Sequence, residues 1–204
     1  LTPAKLTELK SIATIFGRYF KVAGVKDGAL ALCAGVLAAK RADPFAFLGK
    51  AADLRERLSR EQAGIAVCIY RMLLKRIPRE KALAAMAPLI EAGAIGFLIK
   101  TLPEVRPATL TKGTADTRRT LVRGWIDRFY TATAEIAEVT ESQVVFHVTG
   151  CALVRLVHAA GHPELAPLFC KGDLAFFQQR GIRLTRPTTI AKGDALCRFE
   201  LQRD

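Results

Sequence analysis

The feature that most constrains this chain is a single change of apolar period near residue 131. Before it, apolar side chains recur every three or four residues; after it, four segments alternate every second residue. Thr2 and Pro3 suit a helix cap and first turn. Ile12, Ile15, Phe16, Tyr19 and Phe20 then share one face, with Lys5, Lys10, Arg18 and Lys21 on the other. Alanine- and leucine-rich segments near 27–40 and 44–58 follow, divided by Asp43 and Pro44, and two further helices are expected over 64–76 and 78–99. Pro103 and Pro107 open a loop, and another helix is expected over 115–131. The alternating segments predict strands at 135–139 and 143–149, then at 182–191 and 195–202. The connections are Thr140-Glu141-Ser142 and Lys192-Gly193-Asp194, and helices at 151–160 and 163–179 lie between the pairs. The expected fold class is α+β: an N-terminal helical region followed by a small antiparallel sheet of two hairpins with helices inserted between them. A doubly wound nucleotide-binding sheet is disfavoured, because there is neither βαβ alternation nor a glycine-rich phosphate loop.

Charge narrows the partners. Thirty-one Lys and Arg against 19 Asp and Glu leave the chain at +12, and the first 110 residues hold 18 of the basic and 9 of the acidic residues. Such a chain favours anionic partners. No zinc-finger spacing, RNP-like aromatic run or lysine block accompanies the charge, so a nucleic-acid partner would rest on charge alone and is disfavoured. Five cysteines at dispersed positions, an odd number, fit reduced thiols and a cytoplasmic location better than a disulfide framework. Their dispersal also lacks the short-range pairing of a metal site, so no metal and no cofactor is expected. The longest apolar stretch, 82–99, is interrupted by Pro88, Glu91 and two glycines, and no transmembrane segment is expected. The chain opens on Leu, which is compatible with a targeting segment upstream.

The residues that could carry chemistry concentrate between 147 and 199. Cys151 follows Gly150 at a strand-to-helix junction, where exposed N–H groups favour a thiolate; a small buried hydrophobe is the alternative. Cys170 lies beside Lys171 and three residues before Asp173, which could activate the thiol or merely cap a helix. Cys197 alternates with Phe199 and Leu201 on an apolar strand face. Any histidine base must be His147, His158 or His162; His147 alternates away from Phe146, which suggests a solvated face or a pocket wall. Arg183 and Arg186, with Thr189 beyond, could hold a carboxylate through two parallel hydrogen bonds, against the commoner reading of surface arginine.

Taken in order, Cys151-Ala152-Leu153, Gly161-His162-Pro163-Glu164-Leu165, Phe169-Cys170 with Asp173, Ile182-Arg183-Leu184-Thr185-Arg186, Thr189, Gly193-Asp194 and Cys197-x-Phe199 resemble the L-2-amino-thiazoline-4-carboxylic acid hydrolase family. The helix from Glu61 and the run from Arg79 to Leu83 resemble its opening helices. The resemblance implies a hydrolase that opens a five-membered cyclic amidine bearing a carboxylate, giving an N-carbamoyl amino acid. It implies Cys151 or Cys170 as nucleophile, Asp173 and Glu164 as orienting or protonating groups, and Arg186 as carboxylate anchor, with Arg183, His147 and Thr189 as further binding residues. Direct attack by water, with the cysteines shaping the pocket, is the alternative route. Pro187 and Arg198 depart from similar sequences, so a substrate other than the family's namesake is compatible. Residues 1–58 read as an N-terminal helical extension suited to an oligomer contact, and 59–204 as the hydrolase-like domain. The rival function is a non-catalytic module that binds a small molecule, or senses it, in the same pocket.

Overall fold

The computed structural model describes residues 28–41 and 43–203; the amphipathic helix expected at the start of the chain, and any oligomer contact it makes, lie outside the described residues. Seven α-helices are described: α1 (Gly28–Arg41), α2 (Leu54–Leu74), α3 (Arg79–Thr101), α4 (Pro107–Thr111), α5 (Ala115–Ile126), α6 (Ala152–Ala159) and α7 (Ala166–Gln179). The strands are β1 (Ala132–Val139), β2 (Gln143–Cys151), β3 (Ile182–Thr185) and β4 (Cys197–Arg203), paired antiparallel in the order β1-β2-β4-β3. This is the α+β arrangement the change of period predicts, with α6 and α7 inserted between the two strand pairs.

Local chemistry moves several boundaries. The helix expected over 44–58 is not formed before residue 54: Asp43 Oδ1 accepts from Phe45 N at 2.8 Å, and only a 3₁₀ turn, Ala46–Leu48, forms before Gly49 at φ 79°. Helix α2 starts instead at Leu54, where Asp53 accepts from Glu56 N at 2.7 Å and the Glu56 carboxylate accepts from Ala52 N at 2.9 Å. This reciprocal satisfaction of free N–H groups outweighs the alanine-rich pattern upstream, and the helix then runs unbroken through residue 58. Helix α5 stops at Ile126, five residues short of expectation. Strand β3 ends at Thr185 rather than at 191, because Pro187 has no N–H to offer a ladder. The second strand pair is therefore joined by a long connection holding a 3₁₀ turn, Ile190–Lys192, closed by Gly193 at φ 98°. Contrary to expectation, α3 is long and apolar enough by length and composition to cross a membrane, with mean hydropathy 1.9 and 28 % of that stretch buried.

Strand parity divides the sheet. In register Val144 faces Leu201, Phe146 faces Phe199 and Val148 faces Cys197, and these six belong to one buried cluster with Trp125, Phe176 and Phe177. The residues between them, His147 opposite Arg198 and Val145 opposite Glu200, take the other face. A second cluster joins α1, α2, the first half of α3 and α6, around Tyr70, Leu73, Met86 and Leu156. Each large apolar side chain so buried contributes about 1.5–3 kcal/mol. Helices α3 and α7 touch both clusters, and they approach closely: a Cβ on Gly172 would stand 2.2 Å from Ala94 Cβ. The seam between the two clusters is where the site forms.

Candidate active site

A cavity of about 90 Å³ opens at this seam. Helix α3 contributes Phe97 and Leu98, the end of β2 contributes Val148 and Cys151, α7 contributes Cys170 and Asp173, β4 contributes Cys197 and Phe199, and the β3–β4 connection contributes Arg186. Strand β2 reaches Cys151 as its last residue, and α6 begins one residue later. Cys170 and Asp173 stand three apart on α7, so they share a helix face. They lie in the interior of that helix; neither is near its start, and Asp173 caps nothing.

Arg186 organises the cavity. Its side chain is 6 % exposed. Nη1 donates to Asp173 Oδ2 at 2.9 Å and to the Cys170 carbonyl at 3.2 Å, while Nη2 reaches Cys170 Sγ at 3.5 Å. The guanidinium carbon lies 4.2 Å from the centre of the Phe199 ring, a cation–π contact that fixes its plane. Nε is buried with no hydrogen-bond partner. Asp173 occupies Nη1, while among the described residues the edge formed by Nε and Nη2 meets the Cys170 sulfur and no oxygen acceptor, and that edge is one of the two on which arginine binds a carboxylate bidentately. Removal from bulk water pushes the Asp173 carboxyl up to about 6 despite the opposing pull of Arg186, and the 29 % of its side chain that remains exposed belongs to a residue lining the cavity.

The thiols do not behave as a helix start alone would suggest. Cys151 takes the N-cap position of α6 without a side-chain cap hydrogen bond; the nearby Val154 N–H favours its thiolate, but burial outweighs it and pushes the thiol up to about 11. Burial also raises Cys170, with Arg186 pulling the other way. Cys197 Sγ accepts from Ile190 N at 3.2 Å, so it packs, lines the cavity and pins the connection carrying Arg186.

Other expected site residues lie elsewhere. Glu164 sits on the 3₁₀ turn Pro163–Leu165, 2.9 Å from Arg79 Nη2 and 3.7 Å from His162 Nδ1, outside the cavity lining. Arg183 is exposed and donates to Gln202 Oε1 at 2.5 Å. His147 faces Arg198 at 3.4 Å; parity puts both it and Arg183 on the sheet face opposite Phe199. Thr189 is buried, and its N–H donates to Asp194 Oδ2 at 2.7 Å, which shapes the connection rather than the cavity wall. Gln62 and Phe199 line the cavity in roles that the sequence reading did not give them. Gln62 on α2 accepts from Tyr130 O–H at 3.0 Å, and Phe199 supports Arg186 from the neighbouring strand β4. A lone glutamine on the apolar face of a helix was the only signal for the first.

Residues 59–201 match the model of the L-2-amino-thiazoline-4-carboxylic acid hydrolase family. No curated protein and no solved structure matches the chain. The family match spans α2 through β4 and takes in every residue that lines the cavity, and so the chain belongs to the L-2-amino-thiazoline-4-carboxylic acid hydrolase family.

Proposed function

We propose that this protein hydrolyses a five-membered cyclic amidine bearing a carboxylate, within the cavity organised by Arg186. The observation that carries the reading is the convergence of Arg186, Asp173 and Cys170 at one seam, with one guanidinium edge lacking an oxygen acceptor. A ring carboxylate supplies that acceptor, and the apolar walls strengthen the pairing by excluding water. For 2-amino-thiazoline-4-carboxylate, Cys170 adds to the amidine carbon as its proton passes to Asp173. The ring C–S bond then breaks and its sulfur takes the proton. Water displaces Cys170 from the same carbon, leaving N-carbamoyl-cysteine and the starting thiol. Asp173 suits this shuttle because its raised affinity for a proton brings it within reach of neutral pH. Cys170 is preferred to Cys151 because Arg186 stands beside its sulfur.

A second route is favoured by the upward shift of both thiols: water attacks directly, deprotonated by Asp173, and the cysteines only shape the wall. Replacing Cys170 separates the two. Turnover is followed by mass spectrometry of N-carbamoyl-cysteine. Loss of kcat by about 100-fold or more in Cys170→Ser, with KM little changed, supports the thiol route; near-normal kcat supports water. Absence of product from wild-type protein that still binds the ring acid through Arg186 would replace hydrolysis with the non-catalytic binding function.

A further inference from the structure

The geometry points to a substrate that carries an aliphatic substituent on its ring, lodged in an apolar groove between α2 and α3 that opens from the cavity. The inference takes its carboxylate head from the function proposed above. The groove, of about 170 Å³, shares Gln62, Ala94 and Phe169 with the cavity, so the two spaces adjoin at those side chains. Beyond that junction its walls are apolar: Ile65 and Ile69 from α2, and Met86, Leu89 and Ile90 from α3. Ile65 stands at 38 % exposure, a large aliphatic side chain left partly in water. Gly93 leaves the groove open on the α3 side, because a Cβ there would meet nothing within 4 Å.

Size gives the two spaces different tasks. A cavity of about 150 Å³ holds a benzene ring, so about 90 Å³ lined by Arg186 and Asp173 is already too small to enclose a ring together with its carboxylate. Anything attached to the ring must leave, and the groove provides an exit with almost no polar group to satisfy. Hydroxyl or charged substituents would be stripped of water there without a partner. Aliphatic carbons instead gain about four-fold in affinity for each methylene buried. Met86, unbranched and adaptable, suits a wall that meets a chain rather than a fixed ring.

Inert probes keep this inference separable from catalysis: cyclopentanecarboxylate and its 3-alkyl derivatives from methyl to butyl, with binding measured by calorimetry on the full chain. Affinity should rise about three- to four-fold per methylene in the wild type. Gly93→Leu fills the groove from a position with open space, and should flatten that rise while leaving cyclopentanecarboxylate itself unchanged. Gly96→Leu, also in open space on α3 but outside the groove lining, should behave as wild type. A flat alkyl series in wild-type protein that binds cyclopentanecarboxylate overturns the inference, as does an equal rise in Gly93→Leu. A flat series together with a sedimentation change confined to Gly93→Leu overturns it too, and gives the groove to a second copy of the chain. Hydrolysis plays no part in these readouts, so an alkyl-dependent rise without turnover of any amidine would contradict the proposed reaction and leave the groove assignment standing.

Discussion

At the scale of single residues, the account turns on a buried arginine. Its contacts to Asp173 and Phe199 make Arg186→Lys costly to the fold, unlike the neutral change expected of a surface charge: stability should fall by about 1–2 kcal/mol in denaturant titration, since an ammonium cannot reproduce the stacked, forked geometry. Asp173 makes a prediction of definite sign. Its folded carboxyl holds a proton up to about pH 6, well above its ordinary value of 3.8, so the stability it contributes is complete below pH 4 and is lost as pH rises through 6. Asp173→Asn should flatten that fall in a series of melts from pH 4 to pH 7. It should also remove the limb of kcat/KM that rises through about pH 6 as the base ionises. The sequence offered Cys170, Asp173 and Arg186 as candidates, yet their meeting was legible only through the family resemblance, because 13 residues separate Asp173 from Arg186. The placement of His147 was nearer to hand: it alternates away from Phe146, and strand parity then commits it to the far face.

At the scale of elements, the cavity depends on how closely α3 and α7 approach. Gly172→Ala would drive a methyl group into Ala94, and the helices must part; the expected loss is about 1–3 kcal/mol, seen as a lower Tm. Adding Ala94→Gly should recover most of it, whereas recovery would be absent if Gly172 mattered only for backbone freedom. Apolar period identified both strand pairs and most helices, since period is a property of each segment alone. What it missed were stops and starts set by single residues, namely Asp53 capping α2 and Pro187, which lacks an N–H, ending β3. The long β3–β4 connection could not be read from alternation, although it carries Arg186.

At the scale of the whole molecule, two apolar clusters meet and charged clamps hold the outer loop to them. Arg60, 5 % exposed, binds Glu56, Asp43 and the Phe45 and Gly49 carbonyls, and Glu56 also receives Arg155 from α6. Hydrogen bonds from Ala52 N and Arg60 bring the Glu56 carboxyl down to about 2, so its stabilising effect is complete above pH 4.5 and lost as pH falls toward 2. Glu56→Gln should therefore narrow the difference in Tm between pH 6 and pH 3. The central claim, that the seam binds a ring carboxylate on Arg186 for hydrolysis, is tested most directly by one comparison: kcat/KM for 2-amino-thiazoline-4-carboxylate against its carboxamide, in wild type and in Arg186→Lys. The account predicts a strong preference for the carboxylate in wild type, and a loss of about ten-fold or more, equivalent to ~1.4 kcal/mol, on the carboxylate alone in the variant. An unchanged preference for the carboxylate in Arg186→Lys would contradict it, even if overall activity fell.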